Sequence, residues 1–248
     1  MKLTYRLKSL VWSLFRKAGY EIYPRGDKGG RYETILPTSM YCPWNVDKPF
    51  QEFYQAIKDN TLVDIFRCYG LWSLVQQAAK LPEGALIEVG VWRGGTGALI
   101  AKQAELSGID ATVYLCDTFK GVVKTGPHDS TYTGGEHDNT SRKTVAALVE
   151  KMHLRNVQIL EGIFPDDSCS EVKEDKIRFC HIDVDVYQSA KDILEWVWPR
   201  LVSGGIVAFD DYSSPVCDGL TKYVDEQMSK PGSVMVYNLN GHGLLIKR

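Results

Sequence analysis

The sequence predicts an α/β protein, a doubly wound and mostly parallel seven-stranded sheet with a helical N-terminal cap. Three observations carry this. From Ala85 onward, short apolar runs alternate with helical stretches. A glycine-rich turn, VGVWRGGTG at 89–97, follows the first apolar run. Carboxylates stand where the runs end, at Glu88, Asp117, Asp183, Asp185, Asp210 and Asp211. Helical crossovers lay successive strands parallel and cover both faces of the sheet, and ligands of such folds sit outside the carboxyl ends of the strands.

The elements follow in order. In MKLTYRLKSLVWSLFRKAGY, positions 3, 7, 10, 11, 14 and 15 form an apolar helical stripe, with Lys2, Arg6, Lys8, Arg16 and Lys17 around it. The stretch lacks the apolar core and small-residue cleavage site of a signal peptide, and no run reaches the roughly 18 apolar residues of a membrane span. Two readings of this helix stand. It packs on the body or on a second subunit, making a homodimer, or it makes peripheral contact with an anionic membrane surface. Pro24, Pro37, Pro43 and Pro49 make residues 20–49 a long connector, and Tyr32, Tyr41 and Trp44 favour an ordered lid. Helical spacing covers 50–59 and 62–80, where Leu62, Ile65, Phe66, Tyr69, Leu74 and Val75 make an apolar face that stops at Pro82 and Gly84. The predicted domains are therefore 1–83, N-terminal helices and lid, and 84–248.

Strands are predicted at ALIEV (85–89), TVYLCD (112–117), NVQILEG (156–162), IRFCHIDVD (177–185) and GGIVAFDDY (204–212). Helices fall between them at 95–106, 141–154 (N-capped by Ser141 or Thr140) and 187–201, stopped by Pro199; a fourth runs over 217–228. SVMVYNL and HGLLIKR close the chain as an antiparallel pair turning near Asn240-Gly241.

Of the 248 residues, 44% are hydrophobic and 24% charged, and the formal net charge is −2. That is ordinary for a globular protein and lacks the basic excess of a nucleic-acid binder. The six cysteines include no C-x-x-C pair and read as reduced thiols of a cytoplasmic protein.

The acids carry the chemistry. Asp183 and Asp185 stand two apart on one strand and so face the same crevice, and Asp210 and Asp211 end what is predicted to be the neighbouring strand. Such carboxylates need a cation or a partner. Oxygen-only ligands suit a hard ion such as Mg²⁺. His181 is within reach as a ligand, but a strand histidine is more often a hydrogen-bonded core residue. His128 and His137 lie in a long polar loop placed to line a substrate site. The glycine turn is neither G-x-G-x-x-G nor a P-loop. Glu88 inside its strand would repel a pyrophosphate and suits a cationic ligand such as S-adenosylmethionine. Asp117 is placed for two ribose hydroxyls, a role an NAD site would give it equally. A divalent cation beside a methyl donor would lower the pKa of an acceptor hydroxyl, and a carboxylate would take its proton.

Five ordered motifs, VGVWRGG (89–95), DTFKG (117–121), GIFPDDS (162–168), HIDVDVY (181–187) and FDDY (209–212), resemble the macrocin O-methyltransferase family over about residues 60–248. Its members are magnesium- and S-adenosylmethionine-dependent enzymes that methylate sugar hydroxyls. The resemblance implies a Rossmann-like class I methyltransferase fold, Asp183, Asp210 and Asp211 as metal ligands, and Asp185 as general base. For the donor it implies Glu88, Gly90, Trp92, Gly94, Asp117, Thr118, Ser141, Gly162 and Asp183. Ser141 and its neighbour Arg142 are placed to reach donor or substrate. The loop at 121–140 shapes the acceptor site, so the acceptor is a sugar or glycosylated small molecule whose identity the motifs do not give. The basic N-terminal helix also fits an enzyme of surface glycans or glycolipids. A metal-dependent hydrolase of a nucleotide or phosphoester, an O-methyltransferase of a phenol or catechol, and a catalytically silent binding module stay open as rivals.

Overall fold

Local signals set the element ends in a computed structural model that describes residues 2–19, 30–33, 35 and 39–248. Two compact units result, Met1–Met40 and Tyr41–Arg248. The first holds helix α1 (Lys2–Lys17). Much of the predicted lid, at 20–29, 34 and 36–38, lies outside the described residues.

In the second unit, Asp47 accepts a hydrogen bond from Phe50 N and starts α2 (Lys48–Ile57), with Pro49 in its first turn. Asp64 accepts from Phe66 N and Arg67 N and starts α3 (Ile65–Ala78). The sequence places a domain boundary after residue 83, but these helices belong with the sheet. Phe50, Trp72 and Leu71 share one core with Leu99 of α4 (Gly95–Leu106) and with Leu86, Leu115 and Phe179 of the strands. Both helices pack their apolar side chains on this core, within the compact unit that begins at Tyr41.

The sheet has seven strands in the order β3 (Val157–Glu161), β2 (Val113–Asp117), β1 (Ala85–Val89), β4 (Ile177–Ile182), β5 (Leu201–Phe209), β7 (Gly243–Lys247) and β6 (Ser233–Tyr237). The first five are parallel; β7 is antiparallel to β5 and pairs with β6 as the predicted hairpin. Every residue of β1 and β4 is buried, as strands covered on both faces must be. On the second face, Ile193 of α6 (Tyr187–Arg200) and Leu220 of α7 (Asp218–Gln227) pack on Ile87, Ile182 and Phe209. The remaining helix, α5 (Arg142–Lys151), sits before β3.

The chain fills β1, β2 and β3 outward, then returns to place β4 on the other side of β1. This reversal opens a crevice at the carboxyl ends of β1 and β4. There Asp183 N still donates to Val89 O (2.9 Å), but the strand has already ended at Ile182. Asp183 and Asp185 therefore lie in the turn into α6 and not within a strand, and Asp185 takes a left-handed backbone (φ 64°). Gly90 faces this turn with φ 87°, and a Cβ on it would stand 1.8 Å from Asp183 O. We expect Gly90→Ala to destabilise the fold by more than about 2 kcal/mol, which calorimetry would register as a fall in Tm of about 5 °C or more.

Candidate active site

A cavity of about 280 Å³ opens at this crevice, and Gly90, Trp92, Asp117, Thr118, Gly162, Asp183, Asp185, Asp210 and Asp211 all line it. Tertiary structure thus gathers nine of the twelve expected site residues around one space. The other three, Glu88, Gly94 and Ser141, do not line it. Ser141 is the N-cap of α5, its Oγ accepting from Thr144 N (3.1 Å). Gly94 is the N-cap of α4. Glu88 is fully buried under α4, whose Gly97 leaves room for it: a Cβ there would come within 2.5 Å of Glu88 Oε2.

Glu88 pairs with a histidine. Its Oε1 lies 2.8 Å from His181 Nδ1, and His181 Nε2 stands 3.4 Å from Asp210 Oδ1. Burial alone would lower the His181 pKa, but the carboxylates of Asp210 and Glu88 outweigh it and raise it to about 9. The predicted core role of His181 holds, and it links β1 to the end of β5. His242 Nε2 meets the same Asp210 oxygen at 3.1 Å, and burial lowers its pKa.

Asp117 is a clasp for the glycine loop. Its Oδ2 accepts from Val91 N (2.8 Å) and Trp92 N (2.9 Å), and its Oδ1 from Phe119 N (2.7 Å). The residues it holds include Trp92 and Phe119 with left-handed backbones (φ 47° and 52°). Trp92 Nε1 in turn donates to Asn139 Oδ1 (2.7 Å), which ties the loop at 118–140 across the cavity mouth.

One oxygen each from Asp183, Asp210 and Asp211 lie within 4.8 Å of one another. Two carboxylates at 4.8 Å repel by about 3 kcal/mol at an effective dielectric near 20. The structure resolves this unevenly. Burial would raise Asp210, but the imidazoles of His181 and His242 and the Arg67 guanidinium hold it well below the usual carboxylate range. Burial and the charges of Asp210 and Asp211 push Asp183 well up. Burial and the charges of Asp210 and Asp185 raise Asp211 to about 8, against Arg67. Asp183 and Asp211 are therefore both pushed toward their protonated forms, which a bound cation would reverse. An all-oxygen set with this unmet demand fits a hard divalent ion.

The sequence alone misses Arg67, Tyr132 and Cys217. Arg67 Nη1 reaches Asp210 Oδ2 and Asp211 Oδ1 (3.1 Å to the latter), while its Nε holds the helix cap Asp64 (2.8 Å). An arginine on the otherwise apolar face of α3 was the available signal. Tyr132 OH (2.9 Å) and Cys217 Sγ (3.4 Å) both donate to Asp185 Oδ1, and nothing in their sequence surroundings marks them. Of the loop histidines, His137 lines the cavity, whereas His128 packs on the Tyr187 ring at 4.6 Å.

The family described as Macrocin-O-methyltransferase matches residues 60–231, and the chain belongs to that family. It is 31% identical over 159 residues to demethyldecarbamoylnovobiocin O-methyltransferase of Streptomyces niveus, covering 59% of each chain. It is also 31% identical over 144 residues to the 8-demethyl-8-(2,3-dimethoxy-α-L-rhamnosyl)-tetracenomycin-C 4′-O-methyltransferase of Streptomyces olivaceus, covering 54% of this chain and 55% of that one. The match thus spans a little over half the length of these relatives. The solved O-methyltransferase NovP superposes with a TM-score of 0.64 at 26% identity, over 76% of this chain and 82% of that one. The expected Rossmann-like class I fold is the one observed.

Arg67→Gln should remove the one guanidinium facing this acid set among the described residues. We expect a stability loss of about 3 kcal/mol in metal-free protein, measured by urea denaturation.

Proposed function

We propose that this chain transfers a methyl group from S-adenosylmethionine to a hydroxyl of a sugar or glycosylated small molecule, with Mg²⁺ bound by Asp183, Asp210 and Asp211. The observation that carries the reading is a single crevice in an O-methyltransferase family fold that holds both a carboxylate triad and an independently oriented carboxylate, Asp185. The acceptor class draws on the rhamnosyl group in the name of the S. olivaceus relative. The cavity is lined by five aspartates and, of Lys and Arg, only Arg67, a balance that favours a sulfonium donor over a pyrophosphate. No observation favours the hydrolase alternative. No described helix is long and apolar enough to cross a membrane. Cys68, Cys116, Cys180 and Cys217 are buried thiols outside any disulfide, which supports a reducing, cytoplasmic setting.

When bound, the donor would supply an electrophilic methyl carbon, and the cation would acidify the hydroxyl it holds. This chain's own residues do the rest. Gly90, Trp92, Thr118 and Gly162 form the donor wall, and Asp117 keeps that wall in shape through its backbone hydrogen bonds. Asp185, fixed by Tyr132 and Cys217, takes the hydroxyl proton as the oxygen–carbon bond forms. Glu88 holds His181, which stands beside Asp210, and so supports the metal site from beneath.

Calorimetric titration with S-adenosylhomocysteine, with NAD⁺ as control, tests the donor. Binding of the first alone is expected, and failure to bind it in folded protein would overturn the reading. Asp185→Asn should keep that binding and lower turnover at least about 100-fold on any glycoside or catechol acceptor found by screening. The Asp211 carboxyl is protonated below about 8, and the proton must leave for a cation to bind. Apparent Mg²⁺ affinity should therefore fall as pH is lowered through about 8, and titrations on either side of that value would show it.

A further inference from the structure

Helix α1 carries apolar side chains that stay largely in solvent. Leu10 (59%), Leu14 (60%) and Phe15 (46%) are exposed, as are Val11 and Trp12 beside them. Contiguous apolar exposure of this kind marks an interaction surface. The charge around it is one-sided. Residues 1–20 contain Lys2, Arg6, Lys8, Arg16 and Lys17, and neither Asp nor Glu. The helix has 16 residues, about 24 Å long at 1.5 Å per residue, too short for a hydrocarbon core of about 30 Å.

We propose that α1 docks this protein on an anionic phospholipid surface, lying in the plane of the interface. The partner has two requirements to meet at once, cover for the exposed apolar residues and electrostatic complementarity to a segment whose sequence carries five Lys and Arg and no acid. An anionic bilayer meets both: acyl chains receive Leu10, Val11, Leu14 and Phe15, and phosphate headgroups receive the Lys and Arg side chains. Two copies of α1 laid against each other would meet only the first requirement, because five cations from each would be brought together. The proposal is independent of the donor and metal assignments.

The test is flotation of the full chain with phosphatidylcholine vesicles made with and without phosphatidylglycerol. We expect at least about tenfold tighter binding to the anionic vesicles, weakened by high salt as screened charge requires. The double variant Leu14→Glu and Phe15→Glu should lose that binding while its circular-dichroism melt stays that of the parent. Arg16→Glu with Lys17→Glu, which leaves the apolar residues alone, should lose the preference for anionic lipid. Equal binding to neutral vesicles, or anionic binding that survives both variants, overturns the proposal. So does a protein that ignores vesicles and sediments as a dimer that Leu14→Glu dissociates, since α1 would then cover a second copy.

Discussion

Carboxylate repulsion in a confined crevice is the constraint to which the rest of this structure answers. Asp183, Asp210 and Asp211 bring oxygens within 4.8 Å of one another, with Asp185 beside them. Such a group survives burial only with counter-charge. The protein supplies part of it from beneath, through His181 held by Glu88, and part from the side, through Arg67 on α3. Replacing buried ion pairs with apolar side chains is commonly neutral or stabilising, so stability gives no reason to retain this set. The set leaves carboxylate oxygens grouped at the cavity, an arrangement whose chemistry suits a hard cation.

The sheet makes the crowding possible. Parallel strands point their carboxyl ends the same way, and the reversal between β1 and β4 leaves those ends uncovered by a crossover. The helices add to the site as well as to the core. α3 buries Leu71 and Trp72 against the sheet and delivers Arg67 to the acids, so a core helix doubles as a wall of the site. α6 anchors the loop at 118–140: Lys124 pairs with Asp192 (2.6 Å), Ser189 Oγ donates to Val123 O (3.0 Å), and Asp129 Oδ1 accepts from Tyr187 N (3.0 Å) at the helix start. A loop so pinned can hold Tyr132 against Asp185.

Two acids, Glu88 and Asp117, have protein partners that sequence position does not reveal. Sequence position suggests that Glu88 and Asp117 touch the donor, because each ends or nears the end of a strand beside the glycine turn. Asp117 does line the cavity, yet backbone N–H groups already engage both its oxygens. Glu88 projects to the opposite side of β1 from Val89, under α4, where His181 is the partner in reach. Alternation along a strand decides such questions, and it depends on which face of the sheet the crevice opens.

The sequence by itself determined the fold class, the order of strands and helices, the family and nine of the residues around the cavity. These are written in local patterns: apolar runs of strand length, glycines where backbones approach, and acids at strand ends. The N-cap at Ser141 and the core role of His181 are legible there too. Tertiary structure alone decided which side of β1 carries Glu88, that β4 stops at Ile182 before its acids, and that α2 and α3 belong to the same unit as the sheet. It alone brought Arg67, 143 residues away in sequence, onto Asp210, and Tyr132, 53 residues away, onto Asp185. The physical reason is the same in each case: a contact between distant segments is fixed by packing and strand order, and no local periodicity records it.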